Sequence, residues 1–70
     1  MFVPKVGEEY YYLTFKGMAI EAVKKKRWEF DGFDITMFMM DNVFKSNGKA
    51  KKNKDKVIEG AKKFMSEVRV

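Results

Sequence analysis

Six consecutive residues near the N-terminus constrain the fold of this chain more than any other segment. They read Tyr10-Tyr11-Tyr12-Leu13-Thr14-Phe15, and aromatic residues at this density favour a β-strand. Side chains alternate across a strand, so one face carries Tyr10, Tyr12 and Thr14, and the other carries the odd positions between them. Both faces are therefore aromatic, although one small helix can cover only one of them.

The residues that follow predict an antiparallel hairpin. Lys16-Gly17 supplies a turn, since glycine tolerates a positive φ. The apolar segment 18–23 then forms the second strand, which can continue through 24–27 to Trp28-Glu29-Phe30. A helix over 18–27 is the rival interpretation, because Met, Ala, Glu and Lys are good helix formers.

The middle of the chain is read as short elements separated by turns. Asp31-Gly32 predicts a turn, and Asp34 can cap a short helical turn over residues 35–40. Asp41-Asn42 predicts a second turn, since Asn tolerates a left-handed conformation. Residues 43–45 then form a short third strand or an extended entry to the last element.

The last third of the chain predicts an amphipathic helix. Ser46 is the candidate N-cap, with Asn53 as a later alternative. One stripe with the period of a helix is formed by Ala50, Val57, Ile58, Ala61, Phe64, Met65 and Val68. Gly60 lies inside this helix, which indicates close packing or a soft point there.

These elements define an α+β fold, in which a small antiparallel β-sheet (a hairpin plus a short third strand) packs against a C-terminal amphipathic helix. Seventy residues allow one domain. Within the single domain 1–70, we expect a lead-in at 1–8, the hairpin at 9–30, a short helical turn and strand at 31–45, and the helix at 46–68.

The composition argues against an enzyme. The sequence has no Cys and no His, which removes disulfides, thiolate chemistry, the usual zinc sites and every imidazole-based dyad or triad. The neighbouring carboxylates Glu29, Asp31, Asp34 and Asp41 lack the alternating oxygen ligands of a calcium loop. We read them as turn and cap residues that balance nearby lysines, and we expect no metal and no cofactor.

The net charge of +5 is unevenly distributed. Residues 1–44 hold six basic and seven acidic side chains, and residues 45–70 hold nine basic and three acidic ones. Such asymmetry favours an acidic partner, either nucleic acid or an acidic protein face. No apolar run approaches the roughly 20 residues that span a bilayer, and the N-terminus does not resemble a signal peptide, so a cytoplasmic location without membrane contact is expected.

The candidate partner-binding site combines the tyrosine strand with the basic run that follows it. Tyr offers large rigid contact area with a polar tip, which suits protein recognition. The site residues are Tyr10, Tyr12, Lys24, Lys25, Lys26 and Arg27. In the structural alternative, the lead-in around Phe2 covers the second face, the lysines protect a solvated strand edge, and Trp28 is a core anchor.

Nucleic-acid binding is the alternative function. The basic helix and residues 24–27 can neutralise phosphates, with binding that weakens as salt rises. The candidate residues of the helix are Lys49, Lys51, Lys52, Lys56 and Lys63. Because the helix lysines are spaced around much of the helix, a merely solubilising face is the commoner outcome for such a pattern.

Residues 33–40 hold an apolar cluster that is large for a chain of this length. It contains three methionines, two phenylalanines and one isoleucine. Methionine fills irregular gaps in cores and also lines adaptable binding surfaces. The cluster is therefore interpreted as core, with a partner surface or a homodimer seam as the competing hypothesis.

Several short motifs recur in order in a known group of proteins. They are Pro4…Gly7…Tyr10-Tyr11-Tyr12, then Trp28, Phe33-Asp34, Asp41-Asn42-Val43-Phe44-Lys45-Ser46, Ala50 and Asn53-Lys54-Asp55-Lys56-Val57-Ile58. The chain resembles small uncharacterised proteins encoded by bacteriophages and prophages, whose pattern reads approximately YYYI…W…GN-x-F-[KR]-T…EEA. Here Phe2 replaces a frequent Trp, Asp41 replaces the usual Gly, and Asn47-Gly48-Lys49 replaces the acidic first helical turn.

The resemblance implies a phage or mobile-element origin and antiparallel strands packed on a C-terminal helix. It implies neither an enzyme activity nor functional residues. Small phage proteins of this kind often bind and block a host factor. The resulting hypothesis is a non-enzymatic, homodimeric protein that binds and inhibits or redirects a host protein in the bacterial cytoplasm, such as an anti-phage defence protein.

Overall fold

The fold is α+β, with a two-stranded antiparallel sheet and three helices. The computed structural model describes residues 2–17 and 19–68. Strand β1 spans Glu9–Lys16 and β2 spans Ala19–Arg27. Helices α1, α2 and α3 span Gly32–Met39, Asn47–Lys52 and Lys54–Val68. The fold class predicted from the sequence is thus confirmed. Two positions named in the sequence predictions, Met18 and the side chain of Val68, lie outside the described residues.

The hairpin prevails over the rival helix. Tyr10 pairs with Lys26 and Leu13 with Val23, and the register shifts by one residue between Thr14 and Phe15, where the pairing passes over Glu21. Gly17 has a φ of 63°, a conformation that glycine adopts without steric cost. Strand β2 ends at Arg27, but Trp28 continues the backbone pairing because its N–H donates to the Glu8 carbonyl and its carbonyl accepts from Gly7.

The predicted third strand is reduced to one pairing. Phe44 and Tyr11 exchange two backbone hydrogen bonds of 2.8 and 2.9 Å. Two residues earlier, the buried Asn42 side chain accepts from the Leu13 N–H and donates to the Leu13 carbonyl, both at 2.8 Å. The side-chain amide of Asn42 therefore makes hydrogen bonds to the outer edge of β1 that the backbone of a regular third strand would otherwise make.

Both helical predictions need corrections at their boundaries. The short helical turn is α1, which starts at Gly32 with Asp31 as its N-cap, and Asp34 is the third helical residue of a reciprocal capping box. Ser46 caps α2 as predicted. The single helix expected over 46–68 is interrupted at Asn53, whose side chain donates to the Lys49 carbonyl at 2.7 Å. This local bond competes with regular helical geometry.

The two faces of the hairpin each carry a core cluster. On one face, Tyr10, Trp28 and Val43 are buried against α1 residues and Phe2. On the other, Leu13 packs with Ala50 of α2 and Val57 of α3. The expectation that only one face would be covered is therefore wrong. The reason is that the chain reverses after β2, so that α1 and the lead-in cover the face that α2 and α3 leave open.

Candidate functional site

Tyr10 belongs to the core, which corrects its assignment to the partner-binding site. Its side chain is fully buried, and its hydroxyl donates to Asp34 Oδ1 at 2.6 Å. Lys26, directly opposite on β2, donates to the same oxygen at 2.8 Å. Asp34 is itself fully buried. A tyrosine, a lysine and a carboxylate thus form a network in which Tyr10 and Asp34 are buried and Lys26 is partly exposed.

The second oxygen of Asp34 holds the loop that enters α1. Asp34 Oδ2 accepts from the backbone N–H of Glu29 at 2.8 Å and of Asp31 at 3.3 Å. In return, Asp31 Oδ1 accepts from the Asp34 N–H at 2.9 Å. A carboxylate with this many donors is strongly favoured in its ionised form. Asp34 therefore fixes the backbone on both sides of Phe30.

The protonation states in this network follow from the contacts. Burial alone raises the pKa of Asp34, but hydrogen bonds from Lys26, Tyr10 and two backbone N–H groups outweigh it and hold that pKa below its ordinary value. Burial, and next the bond to Asp34, raise the pKa of Tyr10 well above its ordinary value. The bond to Asp34 also raises the pKa of Lys26. At neutral pH the network contains a carboxylate, an ammonium and a neutral phenol.

The four basic residues at 24–27 do not form one patch. They alternate along β2, so that Lys24 and Lys26 share one face while Lys25 and Arg27 share the other. Lys26 is engaged with Asp31 and Asp34, and Lys25 Nζ lies 3.8 Å from Glu9 Oε1. Lys24 and Arg27 are exposed. Two of the four are thus committed to carboxylates of the chain itself.

The side chain of Tyr12 remains partly exposed to solvent. It is half-buried, and its ring packs edge-on against Phe33 with centroids 5.2 Å apart. Because Phe33 covers one side of the ring, Tyr12 can contribute only a margin to an interface. The proposed tyrosine docking face is therefore not formed.

The five lysines predicted for nucleic acid are all exposed, but they are not brought together. Lys49, Lys51 and Lys52 lie on α2, and Lys56 and Lys63 lie on α3. Of the five, Lys49 and Lys56 line a common cavity. The structure thus brings Lys49 and Lys56 to one cavity, and Lys51, Lys52 and Lys63 do not line it.

An exposed apolar surface surrounds Phe30, between the hairpin and α1. Phe30 is 63% exposed, Val3 is 55% exposed and Ile35 is 40% exposed. These three side chains, together with Trp28 and Phe38, line a cavity of about 220 Å³, and we call the five residues the Phe30 surface. The residues that line it are all apolar, so it offers contact area rather than charge.

Phe30 is held in an unusual backbone conformation. Its φ is 59°, which is a genuine outlier for a bulky side chain. Such conformations persist when the surroundings impose them, and they cluster at ligand-binding and switch regions. Here the Asp34 carboxylate fixes the N–H groups of Glu29 and Asp31, and Trp28 contacts the Phe30 ring edge-on at 5.6 Å. Phe30 is therefore an exposed ring in a fixed position.

A second cavity of about 290 Å³ adjoins the Phe30 surface. Its lining combines apolar and basic side chains, and we call it the lysine groove. The lining residues are Phe2, Phe38, Asp41, Val43, Phe44, Lys45, Lys49, Asn53 and Lys56. Phe38 lines both cavities, so the groove and the Phe30 surface lie next to each other on either side of this residue.

The sequence pointed to only part of this site. The apolar cluster at 33–40 divides in the structure, since Met37, Phe38 and Met40 are half-buried while Phe33, Ile35 and Met39 are exposed. The competing hypothesis of a partner surface thus includes Ile35. Phe30 was missed because it was read as the end of a strand, and no local pattern signals a left-handed phenylalanine.

Comparison with known proteins gives no relative for this chain: no family model, no curated protein and no solved structure matches it. No helix among the described residues is long and apolar enough to cross a membrane.

Proposed function

We propose that this protein is a non-enzymatic, phage-type protein that binds a host protein through the Phe30 surface and inhibits or redirects it. The observation that carries the proposal is Phe30, a 63% exposed aromatic ring on a left-handed backbone. Aromatic anchors of this kind, fixed before binding, supply much of the energy of protein interfaces. The phage origin rests on the sequence resemblance alone.

The surroundings of Phe30 support a docking role. Val3 and Ile35 extend the exposed apolar area, and Met39 lies one turn after Ile35 with 57% of its surface exposed. Contiguous exposed apolar area on a small protein marks interaction sites more often than scattered apolar residues do. The chain has neither His nor Cys, and the proposal assigns it no catalytic step.

The proposal is tested with a Phe30→Ala variant. A host protein captured by the wild type is identified, purified and titrated by calorimetry against wild type and variant. We expect at least roughly 30-fold weaker binding, since an interface anchor contributes about 2 kcal/mol or more. Val6→Ala is the matched control, because Val6 is 74% exposed and lies outside the Phe30 surface. Equal affinity of wild type and Phe30→Ala would refute the proposal.

Nucleic-acid binding is the second candidate function. It is favoured by the lysines of α2 and α3, which are exposed at positions 49, 51, 52, 54, 56, 62 and 63. Fluorescence anisotropy with labelled single-stranded and duplex DNA tests it at 50 and 200 mM salt. A function based on phosphate contacts requires affinity that drops steeply over this range and that does not depend on Phe30.

The homodimer stays a prediction, to be measured by light scattering.

A further inference from the structure

The lysine groove and the Phe30 surface can be occupied by one ligand. Phe38 lines both cavities, and the consecutive residues Phe2 and Val3 line one cavity each. The Phe30 surface is lined by apolar residues alone, whereas the groove adds three lysines to an apolar floor. A chain lying across Phe38 therefore passes from an apolar region into a basic one.

The lysines of the groove are available to pair with carboxylates of a ligand. Lys45, Lys49 and Lys56 are exposed, and within the described residues none of them lies within 4.0 Å of a carboxylate oxygen. Among the described residues of the lining, Asp41 is the one that is acidic, so the three lysines and this aspartate together carry a net charge of +2. Carboxylates on a ligand complement this charge.

The other end of the surface argues against a polyphosphate ligand. Glu29 and Asp31 flank Phe30 and are exposed, and the described residues that line the Phe30 surface include no cation. Nucleic acids need cations along a continuous phosphate track. A protein segment, in contrast, can place apolar side chains at one end and carboxylates at the other.

We propose that the ligand of this surface is a protein segment in which apolar side chains are followed or preceded by a cluster of Asp or Glu. The apolar side chains pack around Phe30 and Ile35, and the acidic ones lie over Lys45, Lys49 and Lys56. This inference rests on the proposed function and adds the chemistry of the partner. Charge complementarity of this kind sets specificity and the association rate.

The probe is a displayed library of random peptides of roughly 12 residues, selected on the purified protein. Four proteins are compared: wild type, Phe30→Ala, the triple variant K45E/K49E/K56E, and the charge-matched control K51E/K52E/K62E, whose lysines are exposed but do not line the groove. Circular dichroism and urea unfolding verify that each variant is folded. One peptide enriched on the wild type is then synthesised with a fluorescent label and titrated by anisotropy.

We expect wild type and the charge-matched control to enrich peptides with aromatic or aliphatic residues beside Asp or Glu. The triple variant is expected to lose the acidic preference while keeping the apolar one, and to bind the labelled peptide at least roughly tenfold more weakly, since three rim charges are reversed. Raising the salt concentration weakens binding of this peptide to the wild type but strengthens its weak binding to the triple variant, because salt screens attraction in the first case and repulsion in the second.

The failures are distinguishable. Peptides that are apolar without an acidic bias, or equal affinity for the triple variant and the control, overturn the inference and leave the proposed function standing. Unchanged peptide affinity of Phe30→Ala overturns the proposed function. A selection that enriches no peptide overturns the inference, since it requires a linear segment. Binding of labelled oligonucleotide that depends on Lys45, Lys49 and Lys56 but not on Phe30 assigns the groove to nucleic acid instead.

Discussion

At the scale of the residue, Asp34 organises the side of the molecule that carries the candidate site. It is fully buried, it accepts hydrogen bonds from Tyr10 and Lys26, and it fixes the two N–H groups on either side of Phe30. A buried charge of this kind is tolerated only while its partners are in place. The same side chain thus stabilises the fold and positions the exposed ring.

The first prediction concerns the removal of this charge. Asp34→Asn keeps the shape of the side chain but replaces one of its two oxygen acceptors with an amide group that cannot accept these hydrogen bonds, so we expect a loss of roughly 1–3 kcal/mol in the free energy of unfolding. Urea denaturation measures it. Asp55→Asn is the control, because Asp55 is exposed on α3, and it should change stability by less than about 0.5 kcal/mol. Equal losses for both variants would contradict the role assigned to Asp34.

The second prediction is a loss of stability in acid. The pKa of Asp34 is lowered in the folded protein, so the unfolded chain takes up the proton first as pH falls. The contribution of Asp34 is therefore complete above the unfolded carboxyl pKa of about 3.9 and declines progressively below it. Urea midpoints measured from pH 7 to pH 2 should show this decline, and Asp34→Asn should show a smaller one. Parallel curves would count against the prediction.

At the scale of the element, the hairpin is completed by side chains rather than by another strand. Asn42 is fully buried and bonds both backbone groups of Leu13, and Phe44 adds one backbone pairing with Tyr11. Together they cover the outer edge of β1, where unpaired groups would otherwise be buried. Along the other strand, exposed Lys24, Lys25 and Arg27 disfavour edge-to-edge pairing with another chain.

The third prediction follows from Asn42. Asn42→Ala leaves the Leu13 N–H and carbonyl buried without partners, at a cost of about 1–3 kcal/mol for each unsatisfied group. Thermal and urea unfolding measure the loss, and amide hydrogen exchange at Leu13 should become faster. Asn47→Ala is the control, since Asn47 is exposed at the start of α2. Unchanged protection at Leu13 in Asn42→Ala would show that the side chain does not replace a strand.

At the scale of the whole molecule, the helices on the two faces of the sheet approach each other closely at Gly60. Gly60 of α3 lies against the backbone of Met40, the C-cap of α1, and a Cβ at Gly60 would clash with the Met40 carbonyl oxygen. The glycine weakens the helix locally but permits this close approach. This contact therefore joins α3, which packs on the Leu13 face of the sheet, to α1, which packs on the Tyr10 face.

The fourth prediction compares two glycines in helices. Gly60→Ala should destabilise the protein despite the better helix propensity of alanine, because the Met40 backbone must move. Gly48→Ala, in α2, has open space around its Cβ position and should stabilise the protein by roughly 0.5–1 kcal/mol. Urea unfolding of the two variants measures the contrast. A gain in stability for Gly60→Ala would contradict the close packing of α3 on α1.

The sequence alone determined the α+β class, the hairpin with its turn at Gly17 and the Ser46 cap, because each depends on local propensity and side-chain periodicity. Tertiary structure alone decided that α1 covers the second face of β1, that Tyr10 is tied to Asp34, and that Phe30 is exposed with a positive φ. These outcomes depend on contacts between residues distant in the chain, such as Tyr10 with Asp34 and Leu13 with Asn42. A local sequence pattern does not specify which of the several aromatic side chains will be buried by distant parts of the chain.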